Sequence, residues 1–499
     1  MRTYKTHILL TGFASLALLL TSCKKYLDIN TNPNTPSAVE AGLLLPSIQQ
    51  QMSDGVMFDD RYAGQYIQNW SFVNANNIWD EMGYAPNSDA GGAIWKMNYY
   101  SIGRNLILVQ NDALAGHKWN YAGVADLIRA WSWQATTDYH GEIILKDAWK
   151  ENTYIFNYDK QSDVYAEVLR LCNEGTAFLS RADSGQAKVK LASSDYIYRG
   201  NLSQWIKFAY AIKARNLNHQ SNKQSYNPNQ VIRCVDSSFA SNADNAYMHY
   251  ATTGSADANP LGPTRTNLNS YFTSVFTINL LNGTTLGGTG DPRLPKMIQP
   301  YADGLYHGVV PTKGVDTAYK NNKNKQQVRL YGKYVFQDNA PYPILTYWEM
   351  QFIKAEAAFR KGDLATAYNA FIKGISAHMV VTGVSAPAQA AYLTSAAVPA
   401  SATALTMKDI MLQKYISLWG FDAVESWVDL RRHHYNPTVY VGFSPPSGPA
   451  LYPDNAGKLV YRVRPRYNSE YIWDVQRLTA IGATMPDYHT KEQWFSQAQ

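Results

Sequence analysis

The stretch from Pro343 to Ile375 constrains the fold more than any other part of the chain. Apolar and aromatic residues recur there as Ile344, Tyr347, Trp348, Phe352, Ala355 and Phe359. Steps of three and four place them on one face of a helix with 3.6 residues per turn. Gly362 then stops that helix and Asp363 can cap the next. The second helix carries Leu364, Tyr368, Phe371, Ile372 and Ile375 on one face. Joined by Lys361-Gly362-Asp363, the two predict an antiparallel helical hairpin.

Three more segment pairs read the same way: 118–138 with 160–181, 201–219 with 227–241, and 406–419 with 423–434. Ala, Gly and Tyr at these spacings resemble tetratricopeptide units, each of which buries its apolar face only against a stacked neighbour. The expected fold is therefore mainly α, a helical-repeat scaffold of about four helix pairs with large loop-rich insertions. Residues 250–342 are rich in Gly, Asn, Thr and Pro, with a β-like piece from Tyr331 to Phe336, and 383–403 and 436–466 are also irregular. Loops of this length are functional or pack as an extra layer. No linker divides compositionally different halves, so 38–499 reads as one domain.

The amino terminus reads as an export signal. Arg2 and Lys5 precede an apolar run of 13 residues, Ile8 to Leu20, too short to span a bilayer. Thr21-Ser22-Cys23 follows and resembles a bacterial lipobox, in which the Cys is acylated. Residues 1–22 are expected to be removed, Cys23 to carry the lipid, and 24–37 to form an Asn/Thr/Pro-rich tether. Hydrophobic residues make up 45% of the chain and charged residues 17%, which excludes a disordered, charge-rich protein. The net charge of +6 is spread along the chain and leaves no footprint for nucleic acid. Export makes a disulfide permissible, but Cys172 and Cys234 lie in no pairing motif and are read as two buried free thiols.

Six segments in chain order carry a family resemblance: Tyr26 to Asn34 behind Cys23, Thr137 to Ile143, Trp205 to Arg215, Asp291-Pro292-Arg293, Pro343 to Ile375, and Gln413 to Tyr415 with Trp427 to Arg432. Together they resemble the SusD/RagB family of nutrient-binding outer-membrane lipoproteins of Bacteroidetes. Ile144 stands where that family usually has Pro, so the turn there is expected to differ. The resemblance implies four tetratricopeptide-like helix pairs under a variable loop-rich face. It also implies a lipid anchor at the cell surface and docking on a SusC-like TonB-dependent β-barrel transporter. The implied cargo is an oligosaccharide or, in some members, a peptide.

Residues 61–100 are dense in Trp, Tyr and Asn. Sugars present C–H faces that stack on flat rings and hydroxyl edges that meet amide side chains. Trp95 and Tyr99 fall at helical spacing with Ile102 and Leu106 and are read as core. Trp79, Tyr84, Asn77 and Trp70 are the candidate ligand contacts, with Tyr271, Tyr301 and Tyr306 behind them. Glu349 and Glu356, seven residues apart on one helix, are about 10 Å apart along its axis. They are read as ion-paired scaffold, and the neighbouring pairs Asp59-Asp60 and Asp80-Glu81 diverge. Asp429 and Arg432 are expected to pair along their helix. The chain has no H-E-x-x-H, Cys-x-x-Cys, G-x-S-x-G or P-loop motif. A binding protein without catalysis is therefore expected, the alternatives being a lipid-anchored glycan-active enzyme or a helical-repeat adaptor. A structural Ca²⁺ ion in an Asn/Asp loop stays open, with no D-x-D-x-D run to support it; no other cofactor is expected.

Overall fold

The computed structural model describes residues 39–183, 185–320 and 330–498. The expected signal, Cys23 and the tether lie outside these. Residues 41–499 form one compact unit. It opens with α1 (Ala41–Tyr66), then β1 (Trp70–Phe72), a π-helical turn at Met97–Ile102, and α2 (Gly103–Ala115).

The four expected helix pairs are present. They are α3 (Trp119–His140) with α4 (Gln161–Leu179), and α5 (Leu202–His219) with α6 (Pro228–Ser237). Then come α7 (Tyr347–Lys361) with α8 (Leu364–Val381), and α9 (Met407–Leu418) with α10 (Ala423–Arg432). Side-chain caps set their starts. Asn201, Asn227 and Thr346 accept from backbone N–H groups in the first turns of α5, α6 and α7. Asp363 accepts from Thr366 N at 3.1 Å, and Thr406 and Asp409 form a reciprocal capping box. Gly362 ends α7 at φ +85°, as its position predicts. The α3 and α4 backbones meet at Gly123 and Gly175: a Cβ on Gly123 would lie 2.7 Å from the Gly175 carbonyl oxygen. Only glycine allows that approach.

The helical stripe read from Ile344 begins later in the structure. Thr346 caps α7, and Ile344 belongs to strand β4 (Tyr342–Leu345), which pairs antiparallel with β2 (Ala246–Met248). The β-like piece Tyr331 to Phe336 is turn and bend instead, with Gly332 N donating to Phe336 O at 2.9 Å. Strand β3 (Tyr271–Thr273) pairs with β1, joining Trp70 to Thr273 across the fold. These two strand pairs hold the long insertion after α6 against the helical scaffold.

A charged network ties the helix pairs together inside the core. Arg215 grips Glu349 with two hydrogen bonds of 2.7 Å and reaches Asp422 at 2.7 Å. Lys414 bridges Glu425 (2.7 Å) and Asp429 (2.8 Å). Arg432 pairs with Glu356 and, at 2.7 Å, with Asp429. Glu349 and Glu356 are thus ion-paired scaffold, as expected. Cys172 and Cys234 are both free and buried. No described helix is long and apolar enough to cross a membrane.

Candidate functional site

The loop after β1 is built by hydrogen bonds to its own backbone. Asn77 Oδ1 accepts from Trp79 N (3.0 Å) and Asp80 N (3.4 Å), and Gln65 Nε2 donates to it at 2.8 Å. That is an Asx-type turn, so the Asn77 side chain shapes the loop. The turn directs Trp79 back onto α1, where its ring stacks on Tyr62 with centroids 4.3 Å apart and lies 5.5 Å from Tyr66. Tyr62 and Tyr66 are residues of α1, so this part of the aromatic-rich stretch is helix.

Trp79 is 5% exposed, and its remaining edge lies at a cleft of about 130 Å³ between loop 84–92 and the carboxy-terminal segment 463–471. Gly91 lets the walls close: at φ +81°, a Cβ there would stand 2.9 Å from Val463 and 3.0 Å from the Trp79 ring. Tyr84, Tyr467 and Tyr471 supply aromatic walls, and Asn87, Ser88, Arg464 and Arg466 supply polar groups. The Arg464 guanidinium lies 4.0 Å from the Tyr84 ring centroid. Tyr84 Oη donates to Asp454 at 2.9 Å. Burial, opposed by Arg464, pushes the Tyr84 phenol up to about 12, so it stays protonated at neutral pH. Tyr467 and Tyr471 stack with rings 5.8 Å apart and 17° between planes. Arg466 is held by Asp89, which also accepts from Asn468 N and Nδ2, both at 2.9 Å. Ala90, Gly92 and Arg466 also border a second hollow of about 350 Å³ that reaches Phe58, Arg61 and Tyr62.

The structure therefore brings two of the four sequence candidates, Trp79 and Tyr84, to one cleft. Asn77 stands beside it as a turn former. Trp70 requires a correction: it is fully buried, its Nε1 donates to Arg61 O at 2.9 Å, and its ring packs on Gly64. It is a core residue with no ligand-facing surface. Tyr271 is buried between Trp70 and Phe72, and Tyr301 and Tyr306 border a 10 Å³ void. The walls missed by the sequence reading are Arg464, Arg466, Tyr467 and Tyr471. Their run, Arg464-Pro465-Arg466-Tyr467-Asn468, has the aromatic-polar composition that singled out 61–100, and it sits where the irregular segment 436–466 ends.

The cleft can stack a ring and offer hydrogen bonds at its rim. No Asp or Glu lines it among the described residues. No described group of three His, Cys, Asp or Glu residues is placed to hold a metal ion.

Comparison with known proteins gives a consistent picture. A SusD-like family model, described as starch-binding and associating with the outer membrane, matches residues 33–448. No curated protein matches the chain. Among solved structures, a chitin-binding protein is 21% identical with a TM-score of 0.72, over 92% of this chain and 100% of its own. A Bacteroidetes SusD-like protein is 17% identical with a TM-score of 0.73 over the same shares. A SusD/RagB family protein from Bacteroides thetaiotaomicron is 19% identical with a TM-score of 0.67, over 93% of this chain and 100% of its own.

Proposed function

The chain belongs to the SusD-like family of starch-binding, outer-membrane-associated proteins, and on that premise we propose that it is a surface lipoprotein that captures an oligosaccharide and passes it to a SusC-like TonB-dependent transporter. The observation that carries this reading is the cleft where Trp79, Tyr84, Tyr467 and Tyr471 surround a polar rim. Such walls stack on the C–H face of a sugar while Asn87, Ser88 and the arginines meet its hydroxyls. Oligosaccharide is preferred to peptide because the family description names starch and one structural neighbour is a chitin-binding protein. In this reading the protein acts by binding and releases its cargo unchanged. Cys23 is the proposed lipid anchor.

Two experiments test this. Calorimetric titration of residues 24–499 with malto-oligosaccharides should show saturable binding, weakened in Tyr84→Ala and Tyr467→Ala, with no product released. Mild-detergent extraction of native membranes should recover a TonB-dependent β-barrel with the full-length protein and lose it with Cys23→Ala. Turnover of the glycan, or binding of peptides in its place, would overturn the reading.

A further inference from the structure

A larger cavity, of about 830 Å³, lies away from the cleft, between α2, α3, α4 and the loop 145–149. Asp126 of α3 lines it and is only 4% exposed, and its Oδ2 has no hydrogen-bond partner. Gln110 of α2 lines the same cavity, and its Oε1 is also buried without a partner. Both acceptors face the same cavity, and buried polar groups are nearly always bonded to protein, water or ligand. Arg129 and Arg170 pull on Asp126 through space, but neither bonds its Oδ2. Arg170 holds Glu167 at 2.7 Å and Glu174 at 2.6 Å, and Lys146 holds Asp163 at 2.6 Å. The Arg129 guanidinium lies over the Trp149 ring, 5.1 Å from its centroid. Trp149 supplies a half-buried aromatic wall, and its Nε1 donates to Tyr99 O at 2.8 Å.

A ligand that satisfied both groups would need a cationic donor for Asp126, a second donor for Gln110 and a body that packs against the Trp149 indole. We propose that this cavity is a second ligand site for a protonated amine flanked by hydroxyls, the donor set of an amino sugar, with Asp126 as counter-ion and Gln110 as second acceptor. The inference does not depend on the cleft being a sugar site.

The acid–base behaviour follows from the groups facing Asp126. Burial, with Glu174 and Glu167 of α4, lifts its carboxyl to about 7 against the pull of Arg129 and Arg170; Lys146 and Asp163 also border the cavity, and α2 offers the neutral Gln110. An ammonium pairs only with the ionised form. Below pH 7 each binding event must release a proton, and affinity falls about tenfold per unit.

The test is titration of residues 24–499 with the β-1,4-linked glucosamine disaccharide and its N-acetylated counterpart, followed by tryptophan fluorescence. Saturable binding of the amino form is expected, with affinity dropping toward pH 5. At least tenfold weaker binding is expected for the acetylated form and for Asp126→Asn. Gln110→Leu should weaken it less. Asp126→Asn removes a buried charge without changing volume, so it should fold, and Gln110→Leu provides a second reading if it does not. The proposal is overturned by absence of saturable binding, by equal affinity for the two disaccharides, or by equal affinity in wild type and both cavity variants.

Discussion

Replacing Arg432 with Met tests whether the buried network holds the helix pairs together. Arg432 is 1% exposed. Its guanidinium donates to Glu356 Oε1 at 2.6 Å, to Asp429 Oδ1 from Nε at 3.0 Å and from Nη2 at 2.7 Å, and to Ser221 Oγ at 2.9 Å. The variant leaves two buried carboxylates with one cation fewer. Neither is abandoned: Glu356 keeps Arg360 at 2.9 Å and Asn218 at 2.9 Å, and Asp429 keeps Lys414 at 2.8 Å. Breaking a buried pair by removing one partner costs about 3–5 kcal/mol, and the remaining cations place this case at the lower end, about 3 kcal/mol. At about 2.1 cal/mol/K per residue, unfolding of residues 41–499 carries an entropy near 1 kcal/mol/K. Calorimetry should therefore show a Tm about 3 °C lower if the unit melts cooperatively. The acid limb should also change. Burial alone would raise the Glu356 carboxyl, but Arg432 and Arg360 outweigh it and hold it well below the usual range. A depressed carboxyl contributes stability above its ordinary pKa and loses it as pH falls through the folded value. The variant should therefore show a shallower loss of stability on acidification. A Tm within 1 °C of wild type, with an unchanged acid limb, would refute the assignment of structural work to this pair.

Other expectations are as direct. Burial opposes the charge on His219, yet Glu425 and Asp138 lift its pKa to about 9. Its contribution is full below about pH 6.5 and is lost as pH rises through 9, so urea unfolding should show stability falling by a few kcal/mol over that window, and His219→Gln should flatten the fall. Burial pushes the Cys172 thiol up to about 12, and Cys234 is buried as well. Residues 24–499 should react with a thiol reagent slowly when native and release two equivalents on denaturation; fast native reaction or none after denaturation would contradict this. Gly123→Leu should prevent α3 and α4 from closing, which circular dichroism and expression yield would report.

The helix pairs were legible because each carries its apolar residues at helical spacing between recognisable caps, as with Thr346, Gly362 and Asp363 around α7. α1 was legible only in part. It buries Gln49, Asp54, Asp59, Asp60 and Gln65 alongside its apolar residues, which blurs the stripe, so its last residues fall in with the aromatic-rich stretch 61–100. The strands are three or four residues long and pair with partners far along the chain, as Trp70 does with Thr273, and no local pattern encodes that. This pairing, with α1, draws Trp70 into the core while Trp79, nine residues on, reaches the cleft. Composition alone treats the two alike. The cleft itself is half a sequence feature: the 84–92 wall belongs to the aromatic-rich stretch, and the 463–471 wall arrives from the opposite end of the chain.

The most direct measurement of the central claim is a crystal structure of residues 24–499 grown with a malto-oligosaccharide. The account predicts a sugar ring in the cleft against Tyr84, Tyr467 or Tyr471, with hydroxyls on Asn87, Ser88 or the arginines. A sugar bound elsewhere, with this cleft empty at saturating concentration, would contradict it.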